Sequence, residues 1–483
     1  MLSKPHRSSC QQLPRRQHRL AFTPGLSRSL VLSLNVLTIS VQTHVLGLPF
    51  NPGDWDRLRL YTKRVRSLVV LAPETIPYLQ LFADYNSSQT DTVLFPNLQH
   101  LYFSPRSLPA LHNLSLFLSP SVVSLRLHIR RFPQRWDTLS SILLRDDLPL
   151  PSFELCLCPI VCSLTVHLSI LPLLNFSHKL TALSLHVCAP FTTEFLTLLS
   201  NLPKLQKLNL HFSSADPPIV HIRRFDLTLP SLTHLALSWS FHPTTTPVFD
   251  LLVAIAATAP LVHCSMSPHF SITPCEFHSM CSIISQISSI QNLLLRHSPE
   301  YSTPPTSSLS YDSSPLLQLV RLRRLDLQGF TLGPSFHHNL QYAWTHLRSL
   351  SIDTPPSNGS LNHMDVIHLR SVLFQMSHLE YVSVPLRCTW TSVQEVLPLL
   401  VPVQNCIRRP IMLSIPTHND ILSPLLAVSY LYIAIPRLTF LPSSSPFSLA
   451  LSLVKTVISP AGHLHLQHAH VLQNPLPLPP PSP

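Results

Sequence analysis

One spacing recurs along most of this chain of 483 residues: an apolar residue, a second three positions later and a third two positions after that. With h for apolar, copies of h-x-x-h-x-h start at Val65 (VRSLVV), Leu98 (LQHLYF), Val122 (VVSLRL), Val161 (VCSLTV), Leu180 (LTALSL) and Leu205 (LQKLNL). They continue at Leu232 (LTHLAL), Leu261 (LVHCSM), Ile290 (IQNLLL), Leu322 (LRRLDL), Leu347 (LRSLSI) and Leu379 (LEYVSV). Most of the intervals between successive starts are similar. A chain that is roughly a fifth Leu, about double the usual share, would scatter such matches rather than space them. The x-h-x-h part has the two-residue period of a strand with one buried face. One such unit cannot bury that face by itself, so a dozen must stack and draw their stability from nearest neighbours.

The stretches between copies read as helices. TTEFLTLLSN after Phe191 starts with Thr and puts Glu194 in its first turn, side chains that satisfy free amide groups at a helix start. TPVFDLLVAIAAT (246–258), TPCEFHSMCSIISQI (273–287), PSFHHNLQYAW (334–344), HMDVIHLRSVLFQM (363–376) and CTWTSVQEVLPLL (388–400) follow. Pro near the first turn of several loses nothing by lacking an N–H there. Strand, loop and helix recur at intervals close to the roughly 20 to 29 residues of leucine-rich repeats. This predicts an α/β fold: an irregular leucine-rich-repeat solenoid of about twelve repeats. Parallel strands line its concave face and helices its convex face. The Asn that usually follows the strand is largely missing, which is why the array is expected to be irregular.

The periodicity sets the solenoid at 54–415. Residues 1–53 hold no acid and six Lys or Arg, and are expected to be a poorly ordered basic segment. The Leu30–Phe50 run is apolar but broken by Asn35, Gln42 and His44, so it is a weak membrane span, and strand or linker fits it better. The basic, acid-free start also resembles a mitochondrial presequence. Residues 416–483 are apolar without period and then Pro-rich (NPLPLPPPSP, 474–483), and are expected to be poorly ordered and extended. The cytoplasm or nucleus is the expected compartment, with a mitochondrial or membrane-anchored product as the alternatives.

Several function classes are disfavoured. With 7 Gly the chain has no G-x-G-x-x-G, Walker-type or G-x-S-x-G motif. The net charge of +11 reflects 22 acids against 33 bases. Those bases are spread out rather than gathered with aromatics on one stretch, so no specific nucleic-acid interface is expected. Ten Cys give neither a disulfide framework nor two zinc-type pairs; Cys156, Cys158 and Cys162 stand as C-x-C-x-x-x-C, and Cys264 takes a position that is Leu elsewhere. Ser and His are too frequent to single out a triad, and acids too few to pair. No catalytic residue, metal site or cofactor is assigned.

A binding face is therefore the expected working part, formed by the residues that alternate with the buried ones. Two positions after each start stand Ser67, His100, Ser124, Ser163, Ala182, Lys207, His234, His263, Asn292, Arg324, Ser349 and Tyr381. Six positions after it, four successive copies give His128, His167, His186 and His211. Strands about 4.8 Å apart would set these imidazoles in a row. Such a row suits a polar contact surface better than a metal set, which would also want a carboxylate or thiolate nearby. The candidate contacts are His128, His167, His186, Lys207, Asn209, His211, His234, Arg324 and Asp326.

DWDRLRLYTKRVRSLVV (54–70), LFPNLQHLYF (94–103), LFLSPSVVSLRLHI (116–129) and FQMSHLEYVSV (374–384) resemble the divergent leucine-rich-repeat region of fungal F-box proteins. The likeness covers residues 54–384. It implies a non-enzymatic module whose repeats hold a protein substrate for an SCF-type ubiquitin ligase, joined through the Skp adaptor and its cullin. The F-box opening L-P-x-E-[IL]-[LI] has no match in residues 1–53, so the resemblance rests on the repeats alone. A stand-alone interaction scaffold and a membrane-anchored or extracellular repeat receptor are the alternatives.

Overall fold

The alternation in h-x-x-h-x-h becomes strands that turn their h residues to one side of a sheet. In the computed structural model these are β1 (Leu37–Ile39), β2 (Ser67–Leu71), β3 (His100–Ser104), β4 (Ser124–Ile129), β5 (Ser152–Leu157) and β6 (Ala182–Val187). Then come β7 (Lys207–Phe212), β8 (His234–Trp239), β9 (His263–Pro268), β10 (Asn292–Arg296), β11 (Arg324–Gln328) and β12 (Ser349–Asp353). The last are β13 (Met364–Asp365), β14 (Tyr381–Ser383), β15 (Leu386–Cys388), β16 (Ile411–Ser414), β17 (Asp420–Ile421) and β18 (Leu438–Phe440). The structure describes residues 37–39, 62–71, 95–105, 111, 113–129, 150–157, 179–187, 193–212, 227–240, 247–269, 272–297, 311–330, 332, 334–353, 363–389 and 410–414, with short pieces from 420 to 450.

Fifteen strands form one sheet in chain order, β1 through β12 and then β14, β16 and β18. Every neighbouring pair is parallel. A second small sheet, β13-β15-β17, is parallel as well. Parallel neighbours need a crossover of a dozen residues or more, which the repeat interval supplies. The result is an α/β, solenoid-like stack in which each strand pairs with the one before and the one after it.

The helices are α1 (Thr193–Ser200), α2 (Pro247–Thr258), α3 (Pro274–Ser285), α4 (Pro334–Ala343) and α5 (Val366–Gln375). Five of the six expected helical stretches are thus helical; in the sixth, Leu386–Cys388 is strand and 390–400 lies outside the described residues. The start of α3 shows why the chain turns helical there. Thr273 Oγ1 accepts from the Glu276 amide at 3.2 Å while Glu276 Oε2 accepts from the Thr273 amide at 2.8 Å, a reciprocal cap with Pro274 next to it. Asp365 caps α5 through the Ile367 amide at 2.7 Å.

From β2 to β12 and in β14 the leading and inward h residues are buried, Val65 only partly, and the apolar faces of the helices join them in one continuous core. Met266 and Cys264 take the two inward places of β9 that Leu holds on β8 and β10, with Cys264 acting as a small buried hydrophobe. Burial pushes its thiol up to about 12.

One expected strand is corrected. Between β4 and β6 the sheet takes Ser152–Leu157, led by Leu150, and not the copy starting at Val161, which lies outside the described residues. LPSFEL (150–155) has the same spacing as VCSLTV and divides the interval from Val122 to Leu180 almost evenly. The sheet also includes Leu37–Ile39 and Leu438–Phe440, beyond the 54–415 limits set by periodicity. The rest of residues 1–53 lies outside the described residues. Of the Leu30–Phe50 run, only Leu37–Ile39 is described, as a strand. Among the described residues no helix is long and apolar enough to cross a membrane.

Candidate functional site

Because the register never slips, residues that alternate with the buried ones fall into straight columns on the face away from the core. In the first column Ser67, His100, Ser124, Ser152, Ala182 and Lys207 are successive partners. His234, His263, Asn292, Arg324, Ser349 and Tyr381 continue it, and Met412 and Thr439 follow. Ser152 stands where the sequence pointed to Ser163, because β5 starts earlier in the chain than expected.

The first two columns line a shallow groove of about 480 Å³ that crosses β5 to β11. Lys207, Asn209, His234 and Arg324, all expected contacts, lie along it, together with Glu154, His263 and Asn292. The His234 and His263 rings stack face to face, with centroids 3.9 Å apart and planes 13° from parallel. Thr233 Oγ1 holds His234 Nδ1 at 2.8 Å. Burial lowers the pKa of both rings, and each feels the Lys207 ammonium; His263 lowers that of His234 further.

The groove therefore has a charge that depends on acidity. At neutral pH both rings are uncharged, and Lys207 and Arg324 carry its positive charge. Both imidazoles are expected to titrate below the ordinary 6.5 in an NMR pH series, and Lys207→Met to move both upward. The unfolded chain binds these protons more readily than the folded one. Their contribution to stability thus declines as pH falls below about 6.5, levelling off beneath the folded pKa values. Titration of either ring at or above 6.5 would contradict the packing described.

The third column holds His128, Cys156, His186 and His211, then Ser238 and Ser267. The row of four imidazoles is corrected here: His167 lies outside the described residues, and Cys156 occupies the place expected for it between His128 and His186. The side chains around the row are engaged. Tyr102 Oη is 3.1 Å from His128 Nδ1, and His211 Nδ1 is 2.7 Å from Ser238 Oγ. The His186 and His211 rings are tilted 5.1 Å apart, and His269 meets His211 edge-on at 5.5 Å. Burial, with His186 and His269 nearby, pushes His211 down to about 4.

Glu154, in the second column, ties these columns together. It accepts from Arg126 Nε at 2.8 Å, while the Arg126 guanidinium lies over the Tyr102 ring at 5.6 Å. The Cys156 thiol donates to Glu154 Oε1 at 3.4 Å. Burial and then the adjacent carboxylate raise that thiol to about 11. Glu154 and Cys156 were missed as site residues because their strand was assigned to another segment; LPSFEL carried the signal.

Asp326 departs from its expected role. It shares the outward face but is only 4% exposed. Gln328 Nε2 donates to its Oδ1 at 3.0 Å, and Arg296 and Arg324 approach its Oδ2 at 4.0 and 3.9 Å. Buried beside two guanidinium groups, it does not itself present a surface. The described residues thus bring together His128, His186, Lys207, Asn209, His211, His234 and Arg324 on one face. No protein-family model and no curated protein matches this chain.

Proposed function

We propose that this chain is a non-enzymatic protein-binding module of the leucine-rich-repeat type that holds an extended, acid-bearing segment of its partner in the groove across β5 to β11. The observation that carries this reading is the unslipped register. It turns scattered polar residues into continuous columns, and it sets Lys207 and Arg324 in the groove with stacked His234 and His263 between them. Lys207 and Arg324 outnumber the one acid of the trough, Glu154, which is itself paired with Arg126, and this net positive charge favours an acidic segment and speeds its encounter. Resemblance to the repeats of fungal F-box proteins makes substrate recognition for an SCF-type ubiquitin ligase the specific form of this proposal, with the Skp adaptor as second partner.

Photo-crosslinking from the full chain tests the module. A crosslinker at Asn209 or Ser265, in the groove, is expected to capture the partner, and one at Val253, exposed on α2, is not. Lys207→Glu combined with Arg324→Glu is expected to weaken binding by at least about tenfold, the worth of roughly 1.4 kcal/mol. Capture from α2 alone, or affinity unchanged by the double reversal, would remove the groove from consideration. Co-purification with the Skp adaptor decides the ligase role separately; partner binding without adaptor binding would leave a stand-alone scaffold.

A further inference from the structure

β5 carries Glu154 and Cys156 two residues apart on one face, and the register sets His186 of β6 directly across from Cys156. A carboxylate oxygen, the thiol sulfur and an imidazole nitrogen all lie within 4.8 Å of one another. We propose that Glu154, Cys156 and His186 form a binding site for a divalent metal ion of the zinc class.

The donor set argues for that class. Calcium and magnesium take oxygen donors, whereas a mixed sulfur, nitrogen and oxygen set suits a borderline-soft ion with tetrahedral preference. Such an ion sits about 2.0 to 2.3 Å from each donor, so tetrahedral donors stand roughly 3.3 to 3.8 Å apart. Cys156 Sγ and Glu154 Oε1 are already 3.4 Å apart, within that range.

The surroundings fit a ligand role. Arg126 Nε holds that same Oε1 of Glu154 at 2.8 Å, a hydrogen bond that a carboxylate oxygen with two lone pairs can keep while it binds an ion. The His211 ring, anchored by Ser238, braces His186. Partners of this kind orient metal ligands and sharpen affinity. Binding exchanges a proton for the ion: the Cys156 S–H bond breaks, its electron pair forms the sulfur–metal bond, and the proton leaves to solvent. The carboxylate and the neutral imidazole contribute lone pairs and lose no proton. Three protein donors leave one tetrahedral position for water, on the outward face beside the groove that Glu154 also lines. The site needs no partner protein, so it stands or falls apart from the groove.

The test is titration of the reduced, purified full-length chain with cobalt(II), followed by zinc(II). The expected result is a thiolate-to-cobalt charge-transfer band, displaced by one equivalent of zinc with release of about one proton. Cys156→Ser is expected to abolish the band. His186→Gln and Glu154→Gln should weaken zinc binding by at least about 100-fold, beyond the roughly 10- to 100-fold typical of losing an outer partner. Cys275→Ser, at an exposed cysteine on α3, should change nothing. All these side chains face away from the core, and far-ultraviolet circular dichroism checks that each variant folds. Absence of the band, its persistence in Cys156→Ser, or zinc affinity unaffected by both His186→Gln and Glu154→Gln would overturn the proposal.

Discussion

The Gly329→Ala variant is expected to lose about 2 to 5 kcal/mol of stability, a large effect for one methyl group, because two costs add. Gly329 sits at φ +79, where an L side chain meets its own backbone, worth about 1–2 kcal/mol. Its added Cβ would also clash with the His297 carbonyl oxygen, a backbone atom that cannot swing aside. Overpacking of this kind costs about 1–3 kcal/mol. The position is where three strands exit together: the Gly329 amide donates to Asp353 O at 2.7 Å, and the His297 amide donates to Gln328 O at 2.8 Å. Hydrogen exchange should therefore accelerate around His297, Gln328 and Asp353 before it does near β4. Loss of less than about 1 kcal/mol in urea denaturation would mean the turn can relax in a way the packing does not suggest.

Trp239 is the second site of large effect. It is fully buried at the end of β8, paired with Phe212 on β7 and Pro268 on β9, and meets Phe249 of α2 edge-on at 6.5 Å. Trp239→Ala should cost about 3–5 kcal/mol through lost apolar contact and the cavity left behind. Trp239→Phe should cost clearly less. The Trp239 Nε1 hydrogen has no acceptor among the described residues, so exchanging the indole for a benzyl group also removes a buried, unpaired donor. Equal losses for the two variants would show that the indole N–H matters in a way the surroundings do not reveal. Stacked units can melt separately, so both variants need a local probe as well as a global one.

How far the sequence could be read depended on whether a segment announced both of its periods. Where h-x-x-h-x-h was complete and its neighbours stood at the usual repeat interval, strand, face and register all followed, down to Lys207 opposite His234. The failure at Val161 was one of competition. VCSLTV and LPSFEL are equally good strands in isolation, and only one slot exists between β4 and β6. The intervals around Val161 were the warning. The one from Val122 is the longest in the array and the one to Leu180 the shortest, leaving little chain for a strand, a return and the next entry. A start at Leu150 makes the two nearly equal.

Elsewhere the pattern stands apart from the evenly spaced copies or is disguised. LNVLTI (34–39) has the full spacing and supplies β1. At β16 and β18 the leading apolar residue is missing, with Pro410 and Arg437 at the strand entries, so the apolar pattern alone did not point to them. The Glu154, Cys156 and His186 cluster was out of reach for the same reason as β5. Cross-strand neighbours are a property of register, and one misassigned segment exchanges an imidazole for a thiol.

The unbroken columns also act as a ruler. Marks along them fall about 4.8 Å apart, one per strand, whereas a fully extended chain advances about 3.3 Å per residue and a polyproline-type helix about 3.1 Å. A segment laid across the strands therefore comes back into step every third residue against every second strand. Side chains facing the sheet with that period meet equivalent positions, such as Lys207 and His263, while a simple two-residue alternation drifts out of phase within one or two strands. For a segment held in the proposed groove, the spacing of contact residues would thus be set by the pitch of the strands beneath.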